Sequence, residues 1–248
     1  MEGIAFWVLA SAAAFCVGFS KGGWPIIGML AVPLLSLVIS PVVAAGLLLP
    51  VYVVSDIFGL YAYRHAFNKR VVLVIAAGAT LGVAIGGLTA HLVPEAAVTL
   101  IVGLIGFLFA IFMILRDALT GEEQRGRTDT GLFWGVLTGF TSFVSHAGAP
   151  PYQIWVLPQR LPKMVFAGTS TITFAYINAI KLIPYYMLGQ INMHSLKLAT
   201  ILAVPAAIAV FVGVKAVSVI SDKVFFRIVL GALFVVSVKL IWDGFSGL

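Results

Sequence analysis

Along the chain, long apolar runs alternate with short polar breaks. Apolar segments occupy residues 4–20, 24–39, 43–63, 71–91 and 97–115, then 131–145, 149–159, 165–187, 196–219 and 225–243. Runs of this kind, without strict apolar–polar alternation, predict helices rather than strands. About 20 apolar residues suffice to cross the ~30 Å hydrocarbon core of a bilayer. One long polar stretch interrupts the series, Arg116 to Thr130, centred on Gly121-Glu122-Glu123-Gln124-Arg125-Gly126-Arg127. Five segments, a linker and five more segments indicate an internal duplication. Repeat one spans 1–118, the linker 119–130 and repeat two 131–248, together forming a single transmembrane domain.

Two interruptions inside apolar runs match each other. Ser20-Lys21-Gly22-Gly23-Trp24-Pro25, continued to Pro33, recurs 125 positions later as Ser145-His146-Ala147-Gly148-Ala149-Pro150, continued to Pro158. Ser, Gly and both prolines keep their offsets, and a residue able to carry positive charge sits second in each copy. Glycine lets a backbone turn, and proline is tolerated at the first position of a new helix. The pattern therefore predicts a broken helix in each repeat, with the following helix start presenting free N–H groups and a positive dipole end to an anion. Paired breaks at matching points of two repeats mark the substrate site of secondary transporters. The run after Pro150 is too short to cross a bilayer, so 131–159 is expected to be a re-entrant hairpin. By symmetry 4–39 is a second one, although its length also allows two tilted crossings.

Composition supports the membrane reading. The chain is 61% hydrophobic and only 10% charged, with a mean hydropathy of +1.11. A soluble domain carries about 25% charged residues. The net charge of +6 is thus a matter of loop placement and not a nucleic-acid footprint. With an odd number of crossings per repeat, Arg64, Lys69, Arg70, Arg160, Lys163, Lys223, Arg227 and the linker arginines Arg116, Arg125 and Arg127 fall on one side. Lys197 and Lys239, with Glu2 and Glu95, fall on the other. Cationic loops face the cytoplasm. The expected fold is an all-α polytopic membrane protein of two inverted repeats, each a broken or re-entrant hairpin followed by three transmembrane helices. Both termini are then outside the inner membrane and the linker is cytoplasmic. Met1-Glu2-Gly3 lacks the basic region of a signal peptide, so the first segment is expected to be retained. Cys16, the single cysteine, excludes an intrachain disulfide.

Ionisable residues in mid-segment are costly, at least ~2.5–3.5 kcal/mol on insertion scales. Asp56 and Lys181 are such residues, and at the offset of 125 they are equivalent positions. They are expected either to form a structural ion pair or to divide the work, Lys181 on substrate and Asp56 as a proton or counter-ion site. The candidate anion contacts are Ser20, Lys21, Gly22, Gly23, Ser145, His146 and Gly148, with the anion lying between the two hairpin tips near mid-membrane. Tyr52, Gln153 and Asn178 are mid-segment polar groups and secondary contacts. His146 read alone is a core histidine; its equivalence to Lys21 makes it a site residue. His65, His91 and His194 lie at segment or loop ends. No spacing suggests a metal or other cofactor. The partners expected are a small anion, the lipid bilayer and a coupling proton or cation, with a homo-oligomer left open.

At these motifs the sequence resembles the sulfite exporter TauE/SafE family of membrane transporters. The resemblance rests on Gly18-Phe19-Ser20-Lys21-Gly22-Gly23-Trp24-Pro25 to Pro33, on Gly139-Phe140 through Gly148-Ala149-Pro150 to Pro158, and on Ala167-Gly168-Thr169-Ser170. It implies export of a small sulfur-containing anion such as sulfite or an organosulfonate. Trp24 and Ala149 stand where family members often have a third glycine, and Pro150-Pro151 lacks two N–H donors. Anion contact then falls more to side chains. Residue chemistry alone reaches a small anion, so an anion channel and a transporter of small carboxylates are the alternatives. A membrane enzyme would want clustered carboxylates or histidines near one interface.

Overall fold

A computed structural model describes residues 3–89, 92, 94–115 and 126–247. Most of the linker, with Arg116 and Arg125, lies outside the described residues, as do Glu2 and His91. Regular structure among the described residues is helical throughout. Repeat one comprises α1 (Ile4–Lys21), a 3-10 turn (Pro25–Leu30), α2 (Ala31–Leu35), α3 (Pro41–Tyr63), α4 (Lys69–Thr89) and α5 (Glu95–Leu115). Repeat two comprises α6 (Thr128–Ser145), α7 (Ala149–Val156), a 3-10 turn (Leu157–Gln159), α8 (Lys163–Met187), α9 (Met193–Val219) and α10 (Asp222–Ser246). A broken pair followed by three long helices therefore occurs twice. Five of the described helices, α1, α3, α4, α9 and α10, are long and apolar enough to cross a membrane.

Each broken pair is a hairpin. The second arm of the first one runs back beside α1, because Val32 and Leu35 share an apolar cluster with Phe6, Ala10, Ala44 and Leu198. In the second, Trp155 and Gln159 lie against Gly126 and Gly131, where α6 begins. Neither apolar run continues as one helix through its Gly–Pro break.

The chain folds into two compact units that are not the two sequence repeats. One holds residues 1–67 and 167–219, the other 68–166 and 220–248. In the first, α1 packs on α9; in the second, α6 packs on α4. These are equivalent pairs under the duplication, so each hairpin is seated on the fourth element of the other repeat. Both seats depend on glycine. A Cβ at Gly18 would lie 1.9 Å from the Ala206 carbonyl oxygen, and one at Gly139 would lie 2.3 Å from that of Ala79. Lipid gives helices no hydrophobic reason to associate, so close backbone approach through small residues carries the packing.

Gly139→Val is therefore expected to destabilise the protein by about 1–3 kcal/mol, the usual cost of overpacking. Gly231→Ala, where an added Cβ meets nothing within 4 Å, is the control and leaves the apparent Tm unchanged or slightly higher. Thermal unfolding in detergent makes the comparison, and equal shifts in the two variants count against glycine-mediated seating.

Candidate functional site

The first break ends α1 inside the protein. The N–H groups of Gly22, Gly23 and Trp24 turn back to carbonyls of α1: Gly22 donates to Gly18 and Phe19, Gly23 and Trp24 both to Ser20. Gly23 adopts φ +105°, and a Cβ there would also lie 2.6 Å from the Ala167 Cβ and 2.7 Å from the Tyr63 hydroxyl, so only glycine fits. This corrects the expectation of free N–H groups at the first tip. The segment after Pro25 also begins as a 3-10 turn and not as an α-helix. The backbone N–H groups of this tip are thus taken, and its side chains are what remain open to a ligand.

The carbonyls left at the end of α1 are met by neighbours. The Tyr63 hydroxyl donates to Gly22 O at 2.7 Å and the Thr171 hydroxyl to Lys21 O at 3.1 Å. Trp24 Nε1 donates to Gly213 O on α9 at 3.2 Å. The Ser20 hydroxyl donates within its own helix, to Val17 O at 2.6 Å.

These contacts hold Lys21 in a buried cluster drawn from α1, α3 and α8. Lys21 Nζ lies 2.9 Å from Asp56 Oδ1, and Asn178 Nδ2 donates to Asp56 Oδ2 at 2.8 Å. Lys21 is 3% exposed, Asp56 4% and Lys181 0%. Aromatic rings wall the cluster: Lys21 Nζ is 5.1 Å from the Tyr52 ring centre and 5.9 Å from that of Phe174, and Lys181 Nζ is 5.3 Å from that of Tyr185. The Tyr52 hydroxyl donates to Gly28 O at 2.6 Å, tying α3 to the second arm of the hairpin. Repeat symmetry had set Asp56 against Lys181; the ion-pair contact of Asp56 goes to Lys21, with Lys181 one turn beyond Asn178 on α8.

The second break, in the other unit, is built differently. α6 ends at Ser145, and the left-handed turn falls on His146 (φ 53°, ψ 20°), while Gly148 is right-handed (φ −76°, ψ −18°). Gly148 thus lies between the helices, as expected, but does not make the turn. The Ser145 hydroxyl donates to Thr141 O at 3.3 Å, and the Ala147 N–H donates to the same carbonyl at 3.2 Å. Gln153 on α7 is fully buried, and neither its Nε2 nor its Oε1 has a hydrogen-bond partner in the protein. A buried amide without partners is expensive in a membrane interior.

The structure therefore gathers Ser20, Lys21, Gly22, Gly23, Tyr52, Asp56, Asn178 and Lys181 in one unit and Ser145, His146, Gly148 and Gln153 in the other. Sequence reasoning missed Tyr63, Thr171, Phe174 and Tyr185. A signal existed: Thr171, Phe174, Asn178, Lys181 and Tyr185 recur at alternating steps of three and four, which is one helix face.

A family model described as Sulfite exporter TauE/SafE matches residues 10–240. The chain belongs to the TauE/SafE sulfite exporter family. No curated protein and no solved structure matches it. Family membership and the apolar helices make this TauE/SafE chain a multi-pass membrane transporter of a class described by sulfite export.

Two predictions follow from the cluster and the amide. In a double-mutant cycle, Lys21→Met and Asp56→Asn should show an interaction energy of about 0.5–3 kcal/mol, because each single change strands a buried partner. Additive losses in thermal stability would mean that the pair does not act as a unit. Gln153→Met removes two unsatisfied polar atoms at nearly constant volume. It is expected to leave the apparent Tm of this TauE/SafE protein unchanged or raised, and a marked fall would show that the amide is satisfied in the folded protein.

Proposed function

We propose that the chain is a secondary transporter that carries a small sulfur-containing oxyanion, sulfite or an organosulfonate, out across the inner membrane. The observation that carries this reading is the placement of the buried ionisable side chains. Among the described residues, the buried Asp, Glu, Lys and Arg side chains are Lys21, Asp56 and Lys181, all in one helical unit. A buried ion-paired lysine, a second buried lysine and the Asn178 amide donor in one apolar unit are the donor set that a small oxyanion needs. The ammonium groups and the Asn178 amide supply charge-assisted hydrogen bonds for water lost by an oxyanion. In this reading Lys21 and Lys181 bind substrate and Asp56 is their counter-ion. Ser145, His146, Gly148 and Gln153, in the other unit, remain proposed substrate contacts of the second break.

Inverted repeats are part of the proposal. They are supported by the equivalent pairing of α1 with α9 and of α6 with α4, and by cationic residues at one set of helix ends. That set includes Arg64, Lys69, Arg160 and Lys163, so the proposal puts those ends and the central linker in the cytoplasm and both termini outside.

Flux in proteoliposomes tests the reading, with sulfite, sulfoacetate, taurine, thiosulfate and acetate as the panel. Saturable flux of sulfite or an organosulfonate is expected, reduced at least about tenfold in Lys181→Met and in Lys21→Met proteins that still elute as folded species, as loss of one charge-assisted contact implies. Repeating the measurement with an imposed pH gradient identifies a coupling proton. Flux of acetate alone indicates a carboxylate transporter, and flux that never saturates indicates a channel.

A further inference from the structure

The Asp56 carboxylate has the surroundings of a bound ligand. One oxygen lies 2.9 Å from the Lys21 ammonium and the other accepts from the Asn178 amide at 2.8 Å. Both ends of the ion pair are buried, and the Lys21 ammonium lies 5.1 Å from the Tyr52 ring centre and 5.9 Å from that of Phe174. An ammonium and an amide donor on two different oxygens of one compact anion are what a site for a carboxylate, sulfite or sulfonate needs. A purely structural pair has no need of a second buried lysine, yet Lys181 is fully buried in the same unit. Asn178 and Lys181 are three residues apart on α8 and so share a face.

We propose that Asp56 is an internal stand-in for the transported anion, resting on Lys21 and Asn178 when the site is empty and displaced toward Lys181 when substrate binds. The inference rests on the transporter reading above and names its substrate class: a compact monoanion with at least two oxygens, one for the ammonium and one for the amide. Before binding, the Lys21 ammonium faces the Asp56 carboxylate; afterwards it faces the substrate, and the displaced carboxylate faces Lys181. Lys21 therefore never stands bare in the apolar interior, and release of substrate is assisted because Asp56 competes for the same ammonium.

Two variants of the full-length protein test the competition. Asp56→Ala removes the stand-in and leaves its donors in place. Sodium formate, the nearest match to the missing carboxylate, should raise its apparent Tm saturably above sodium chloride at equal ionic strength, by mass action on the folded state. The wild type should gain little, and the Lys21→Met/Asp56→Ala protein nothing. Equal responses to formate and chloride in Asp56→Ala overturn the proposal. Asp56→Asn keeps the shape without the charge. Its Kd for methanesulfonate, a sulfur oxyanion with a fixed single charge, should fall at least about tenfold below the wild-type value, since binding no longer competes with an ion pair. An unchanged or higher Kd overturns the proposal, and this arm decides if Asp56→Ala does not fold. Formate stabilisation of Asp56→Ala in a protein whose wild type moves no sulfur anion would keep the stand-in and reject the exporter reading.

Discussion

A helix that stops inside the protein leaves carbonyl groups that water cannot reach, and the first hairpin is arranged around that constraint. The carbonyls of Lys21 and Gly22 are met by Thr171 of α8 and Tyr63 of α3, and Trp24 reaches Gly213 of α9. Three helices must therefore converge on one point. Asp56 lies two turns before Tyr63 on α3, and Asn178 lies two turns after Thr171 on α8. The hydroxyls that satisfy the broken backbone thus also bring the carboxylate and the amide to Lys21. Gly59 allows the approach, since a Cβ there would lie 2.6 Å from Thr171 and 3.0 Å from Lys21 O.

The charged cluster is hard to explain as a device for stability. Removing two charges from water costs several kcal/mol per ion, and replacing a buried pair with apolar residues is often neutral or stabilising. A second buried lysine adds to that cost. Aromatic faces at 5.1 Å and 5.9 Å from the Lys21 ammonium offset part of it, because a desolvated cation gains from a ring quadrupole. That cost is the physical reason for proposing these groups, rather than the exposed ones, as the substrate contacts.

Much of this was legible in the sequence, and the exceptions have physical causes. The two breaks, the order of helices after them and the burial of Asp56 and Lys181 follow from apolar runs interrupted by Gly, Pro and charge. The partner of Asp56 did not follow. Offset arithmetic pairs equivalent residues, whereas the contact is set by where α1 stops, and that depends on Gly23 at positive φ and on Tyr63 and Thr171 as caps. The free N–H groups expected at the first tip did not follow either. Three consecutive residues without helical successors satisfy the end of α1 first, a local bond available before any ligand arrives. The exchange of hairpins between compact units was out of reach because it rests on glycine seats, such as Gly18 on Ala206, whose partners lie far along the chain.

The duplication repeats the scaffold more faithfully than the chemistry. Each repeat has a hairpin, a glycine seat and three long helices, but the buried Lys and Asp residues described here all belong to one unit. Lys21 and His146 illustrate the divergence. Lys21 closes α1 with a right-handed last turn and extends its ammonium to Asp56. His146 sits just past α6 at φ 53°, a left-handed conformation in which histidine is enriched several-fold over most non-glycine residues. Backbone geometry alone is thus a sufficient reason for His at 146, where it is not for Lys at 21. Matching cationic residues at equivalent positions therefore need not have matching roles. The proposed binding of one anion asks for one charged centre, and the second break keeps its turn at His146 with no buried Asp, Glu, Lys or Arg among the described residues of its unit.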